Sequence, residues 1–170
     1  MIISVLIPCF NEKDTIEEIV NRINDLKNIN TEIIIIDDFS NDGTTEILKE
    51  KINHKVSKII FNETNSGKGY CIKKGIEIAQ GEIILIQDAD LEYDPKEYYK
   101  LTKPIIDGNA EVVYGSRFIG GDERRILFFW HTIANKFLTF LSNMFTNLNL
   151  TDMETCYKVF RKEVLNQIRI

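Results

Sequence analysis

The sequence predicts an α/β domain with a mainly parallel sheet and helices on both faces. Three observations carry that expectation. Short β-branched runs alternate with segments of helical periodicity from the first residues onward. Two of the runs, 33–36 and 83–86, are apolar throughout, as strands covered on both faces are. Both of those runs end in acidic residues, Asp37-Asp38 and Asp88-Ala89-Asp90.

Residues 2–7 form the first strand and lead through Pro8, Cys9, Phe10 and Asn11 into a loop. Over 13–27, Ile16, Ile19, Val20, Ile23 and Leu26 recur at helical spacing, which predicts a helix with one apolar face. The run 33–36 is the second strand. Asp42-Gly43 predicts a turn, with Asp42 used in capping, and 44–51 a second helix. Residues 58–61 read as a third strand, 68–79 as a third helix and 83–86 as a fourth strand. Pro95 suits the first turn of a helix running to about Ile106, and 112–114 read as a fifth strand. This alternation implies parallel pairing through crossovers. In such sheets ligands bind at the carboxyl ends of the strands, where both acidic clusters fall.

After Gly115 the texture changes. Residues 116–123 are a glycine-containing loop, and 124–150 hold six of the 17 aromatic residues. Ile126, Trp130, Ile133, Phe137, Phe140, Met144 and Leu148 recur at helical spacing, with Arg124, Arg125 and Lys136 adding positive charge. An apolar aromatic face beside basic groups is what an interfacial helix uses against anionic lipid. Packing of the same face on the sheet gives the same periodicity. The last pattern, 157–170, reads as a short strand and the start of a helix, and a chain cut short at its C-terminus is expected.

The chain has 170 residues, 44% of them hydrophobic, and a net charge of −5. That length suits a single domain over 1–170. Residues 1–100 hold 12 basic and 19 acidic groups, whereas 101–170 hold 9 and 7. A nucleic-acid binder needs a far more basic surface, so that class is excluded. Cys9, Cys71 and Cys156 lack any paired spacing, which argues against a zinc site or disulfide framework and fits a reducing cytosol. The N-terminus lacks the basic region and cleavage site of a signal peptide, and no run of 18 apolar residues occurs.

Two familiar nucleotide signatures are absent. No glycine lies between Pro8 and Asp14, which excludes the dinucleotide fingerprint. Asn62 stands where a P-loop ending at Gly67-Lys68 needs glycine, and Gly69 where it needs serine or threonine. Asp88-Ala89-Asp90 is more informative. Residues two apart in extended backbone point the same way, so both carboxylates can face one cation. Mg²⁺ or Mn²⁺ prefers such oxygens and takes substrate phosphates as further ligands. An isolated Asp-x-Asp is more often a solvated acidic turn; here it ends a strongly apolar strand. The pair Asp37-Asp38 needs a partner to offset mutual repulsion, and a carboxylate there suits a nucleobase or ribose. Asn65-Ser66-Gly67-Lys68-Gly69 precedes a helix N-terminus, where an anion is welcome.

In series, these stretches resemble the family-2 glycosyltransferases with the GT-A fold, particularly the polyprenyl-phosphate sugar synthases such as the dolichyl-phosphate mannose synthases. The matching stretches also include Gly115-Ser116-Arg117 and Thr151-Asp152-Met153-Glu154-Thr155-Cys156-Tyr157-Lys158. The resemblance implies that Pro8, Asn11, Glu12, Asp37 and Asp38 line a nucleotide pocket, Asp38 being the favoured base reader, with Gly67 and Lys68 closing it. It further implies that Asp88 and Asp90, with Ala89 between them, carry the metal. Glu92, where the family often has glutamine, is a possible third ligand. Arg117 is expected to meet phosphate, with Arg124 and Arg125 nearby, and Asp152 to orient the acceptor or act as base.

The implied division is a nucleotide-sugar half over 1–115 and an acceptor- and membrane-facing half over 116–170. The implied reaction is inverting transfer of a hexose from a UDP- or GDP-sugar to a polyprenyl phosphate in cell-envelope glycan synthesis, dependent on Mg²⁺ or Mn²⁺. The expected location is cytoplasmic, peripheral on the cytoplasmic face of an anionic membrane. A phosphate acceptor is already ionised and needs no general base, whereas a sugar hydroxyl does. Transfer to a sugar hydroxyl therefore stays open as an alternative, as does a non-catalytic nucleotide-sugar-binding remnant.

Overall fold

The computed structural model describes residues 1–118 and 128–167. Arg124, Arg125 and Ile126 lie outside the described residues. Six strands form one sheet: β1 (Ile3–Cys9), β2 (Thr31–Asp37), β3 (Lys58–Phe61), β4 (Ile83–Ile86), β5 (Val112–Tyr114) and β6 (Lys158–Arg161). Their spatial order is β3-β2-β1-β4-β6-β5. The first four run parallel, while β6 is antiparallel to both β4 and β5. The late strand β6 thus inserts between β4 and β5, an arrangement that pattern reading along the chain does not reveal.

Alternation along the strands divides the core in two. Val5, Ile7, Ile33, Ile35 and Leu85 face one side, against Ile16, Ile19, Val20 and Ile23 of helix α1 (Ile16–Asn24). Helix α2 (Thr44–Ile47) runs into a π-helical segment, Leu48–Ile52, whose Leu48 and Ile52 join the same layer. The helix expected over 44–51 is therefore α-helical only in its first turn. Leu6, Ile34, Ile36 and Ile84 face the other side, against α3 (Lys68–Ile78) and Leu165 of α6 (Lys162–Leu165). Helix α4 (Tyr98–Ile106) returns to the first layer through Tyr98, Leu101 and Ile105; it follows a short 3-10 turn, Pro95–Glu97, capped by Asp94. Strands apolar on both faces are what this double covering requires.

Helix α5 (Phe129–Thr146) is built the other way round. Its buried residues are Asn135 and Thr139, while Trp130, Phe137, Phe140 and Phe145 are 75%, 60%, 63% and 81% exposed. Packing of its apolar face on the sheet, one of the two readings of that periodicity, does not occur. No helix among the described residues is long and apolar enough to cross a membrane.

The start of β4 is held close to β1 at Gly81, and a Cβ there would sit 2.6 Å from Ser4 Oγ and 2.7 Å from both Ile2 O and Ser4 N. Two of these atoms are backbone at the head of the central strand β1 and have little room to step aside. Gly81→Ala is expected to lower stability by about 1–3 kcal/mol with an unchanged denaturant slope. Equilibrium urea unfolding measures this; an unchanged midpoint would show that the strand ends relax freely.

Candidate functional site

A cleft of about 180 Å³ opens at the carboxyl ends of β1, β2 and β4. Pro8, Cys9, Phe10, Glu12, Asp38, Lys68, Cys71, Asp88, Ala89 and Asp90 line it. Seven of these are residues singled out from the sequence. Asn11, Asp37, Gly67, Glu92, Arg117 and Asp152 are not among the lining residues.

The loops leaving β1 and β2 are stitched to each other. Asn11 donates its N–H to Ser40 Oγ at 2.9 Å, and its Oδ1 accepts from Asn41 N at 2.9 Å. Glu12 N donates to Thr44 Oγ1 at 2.8 Å. Asp42 folds onto the first residue of α2, accepting from Thr44 N at 3.0 Å. Left-handed backbone turns both chains: φ is 59° at Asn11 and 68° at Phe39. Asparagine tolerates that conformation; phenylalanine is strained in it.

The adjacent carboxylates Asp37 and Asp38 are both buried. Hydrogen bonds offset their repulsion. Asp37 Oδ1 accepts from Ser40 N and Oγ, and Oδ2 from Thr45 Oγ1 at 2.6 Å. Asp38 accepts from Asn62 Nδ2 at 2.7 Å, Ser66 N at 2.9 Å and Gly67 N at 2.7 Å. Burial works to raise the Asp38 pKa, but these bonds together hold it below the ordinary carboxylate value. Asp38 thereby closes the 62–67 loop over the cleft, and Asp37 braces the turn behind it.

Below Asp88 lies a fully buried amide. Gln87 Oε1 accepts from Tyr98 Oη at 2.8 Å and Tyr157 Oη at 3.0 Å, while Nε2 donates to Asp88 O at 2.8 Å. The turn carrying Asp88 and Asp90 is thus held from inside the core. Lys68 Nζ lies 2.5 Å from Asp88 Oδ1. Burial disfavours the Lys68 charge, but the Asp88 contact outweighs it and raises the pKa. Asp90 Oδ1 accepts from Glu92 N at 3.0 Å. Among the described residues, no three His, Cys, Asp or Glu side chains converge as a metal cluster, so Asp88, Asp90 and Glu92 form no ready-made set of three ligands. Two carboxylates on one cleft wall nevertheless suit a hard cation that completes its shell with water and phosphate.

Arg117 and Asp152 meet in a forked ion pair: Nε to Oδ2 is 2.8 Å and Nη2 to Oδ1 is 2.9 Å. The Arg117 backbone N–H adds a third bond and Asn135 Nδ2 of α5 a fourth. Burial would raise the Asp152 pKa; Arg117 and Asn135 hold it below the ordinary value. The sequence singles out both residues without showing that they are partners.

Sequence reasoning missed Phe10 and the two cleft thiols, and also Asn62 and Gln87 as supports. Cys9 is recoverable from strand alternation, being two residues on from Ile7. Burial pushes the Cys71 thiol up to about 12, and the Cys9 thiol is also pushed up, so neither is a nucleophile at neutral pH.

The family described as Glycosyl transferase family 2 matches residues 4–169. A dolichol-phosphate mannosyltransferase of Pyrococcus furiosus is 32% identical over 80% of this chain, which spans 39% of that relative. A UDP-N-acetylglucosamine–dolichyl-phosphate N-acetylglucosaminyltransferase of Methanococcus voltae is 30% identical over 96% of this chain and 71% of its own length. Among solved structures, glucosyl-3-phosphoglycerate synthase from Mycobacterium tuberculosis, in complex with Mn²⁺, UDP and glucosyl-3-phosphoglycerate, superposes with a TM-score of 0.73. It is 21% identical, and the match covers 98% of this chain and 58% of that one, a likeness of fold.

Asp152→Asn leaves the Arg117 guanidinium facing a neutral amide inside the domain, and a stability loss of about 3 kcal/mol is expected. Because the Asp152 pKa is depressed on folding, this stabilisation is complete above about pH 4 and fades as pH falls through the folded value. Urea titrations of wild type and variant from pH 7 down to 2 should therefore converge at the acid end. A gap that stays constant with pH would show that the pair is not the source.

Proposed function

The chain belongs to glycosyl transferase family 2, and on that premise we propose that it transfers a hexose, with inversion, from a UDP- or GDP-sugar to a polyprenyl phosphate. One observation carries the reading: Asp38, Lys68, Asp88 and Asp90 line a single cleft at the carboxyl ends of parallel strands. The names of the dolichyl-phosphate relatives support the acceptor class.

In this reading Asp38 holds the base side of the pocket, with Pro8 and Glu12 beside it and Asn11 and Asp37 bracing the loops that carry them. Asp88 and Asp90 hold Mg²⁺ or Mn²⁺, which when bound supplies positive charge to the diphosphate leaving group. Lys68, at the N-terminal end of α3, supplies a second positive charge from the facing wall. A phosphate acceptor arrives ionised, so no residue has to remove a proton. Asp152 fits that demand: all its bonds are received from donors, and it serves to orient Arg117 toward phosphate. The exposed aromatic face of α5 rests on an anionic membrane, where a polyprenyl tail resides.

Asp90→Asn tests the metal assignment. UDP or GDP affinity, read by thermal shift, should rise with Mn²⁺ in wild type and lose most of that dependence in the variant. Equal metal dependence in both proteins would remove Asp90 from the ion's shell. The membrane assignment is read separately, by sedimentation with anionic liposomes. Binding should weaken with salt and fall when Trp130, Phe137 and Phe140 are changed to serine, with helicity retained. Absence of liposome binding at low salt would assign that face to protein contacts.

A further inference from the structure

Lys68, Arg117 and Lys158 stand near the end of β4, and two of them are matched. Lys68 pairs with Asp88, and Arg117 forks onto Asp152. Lys158 forms no ion pair among the described residues. Its ammonium donates to the Thr155 carbonyl and lies 5.3 Å from the centroid of the Tyr114 ring. An ammonium carries three N–H donors, so that single protein acceptor leaves two for something else. The side chain is partly buried, and burial together with the Lys68 charge lowers its pKa, while Asp152 and Asp88 act in the opposite sense. A half-buried ammonium with N–H groups left over is placed to receive an anion.

Position indicates which anion. Lys158 begins β6, opposite Tyr114 of β5, and β6 borders β4, the strand that leads to Asp88 and Asp90. The nucleotide-side strands β1 and β2 lie on the other side of β4. Lys158 is not among the residues lining the nucleotide cleft; it sits on the side of Arg117, Asp152 and α5. We propose that Lys158 is a binding residue for the phosphate of the acceptor, holding it beside the Asp88-Asp90 turn together with the Arg117 that Asp152 orients. This assignment rests on the acceptor reading given above.

The test uses protein loaded with Mn²⁺ and UDP, titrated with inorganic phosphate and with farnesyl phosphate. In Lys158→Met both affinities should fall by about tenfold or more, the loss of a charge-assisted contact. UDP affinity should hold, and the thermal midpoint should not drop, because an unpaired charge has been removed. Lys158→Arg should retain most of the phosphate affinity, and Lys158→Gln repeats the comparison should the methionine variant misfold. Unchanged phosphate binding in the neutral variants overturns the proposal, as does a matching loss of UDP or a wild type that binds no phosphate. If phosphate binding falls as expected but farnesyl phosphate binds no more tightly than phosphate itself, Lys158 stands and the lipid acceptor fails.

Discussion

A carboxylate without solvent contact has to be met by donors, and Asp152 is such a group. Its donors come from Arg117, after β5, and from Asn135, in the middle of α5. Three segments far apart in the sequence therefore converge beside β6, which lies between β4 and β5. The network extends further along α5. Thr139 donates to Asn135 Oδ1 and accepts from Met153 N, and Asn135 also reaches Glu154. The orientation of α5 follows from this: its polar stripe is needed inside, so its aromatic stripe is left outside.

At the other end of the site the constraint is parallel registry. β1 pairs with β2 from Ile3↔Thr31 to Cys9↔Asp37, so the two strands end level. The ladder runs on past them, through Asp38 N to Cys9 O and Asn62 N to Asp37 O, both at 2.8 Å. Acidic residues placed at these ends are forced together. The protein accommodates them with hydroxyls, the Asn62 amide and backbone amides around Asp37 and Asp38, and with the Lys68 ammonium at Asp88. A neutral hydrogen-bonded shell fixes geometry without cancelling the negative charge, so the cleft stays acidic at Asp37 and Asp38.

The central layer was legible because its physics is local. Short β-branched apolar runs such as 33–36 favour strands covered on both faces, and Ile16, Ile19, Val20 and Ile23 mark one face of α1. The acidic strand ends located the cleft for the same reason, since a carboxylate closing such a run stands out. Contacts made at long range were not legible. Nothing near Asp152 announces Arg117, 35 residues earlier, and nothing near Gln87 announces Tyr157. The insertion of β6 depends on these pairs, and pattern reading sees only sequential order. The periodicity of α5 was visible, but not its sense, because the same spacing serves a helix that turns its apolar face in or out.

That sense has a consequence for the site. Exposed aromatic side chains lower the free energy of the helix only when something apolar covers them, at roughly 25 cal/mol per Å² of apolar area buried. Whatever covers Trp130, Phe137 and Phe140 therefore fixes the position of the helix that carries them. The opposite face of that helix holds Asn135, which shares Asp152 with Arg117 through bonds of 2.9 and 2.8 Å. Hydrogen bonds of that length do not survive displacements of an ångström. A small shift of α5 is thus felt at the Arg117 guanidinium with no intervening loop to absorb it. Cover on the aromatic face of α5 and the orientation of Arg117 are therefore mechanically coupled, because a single buried carboxylate joins them.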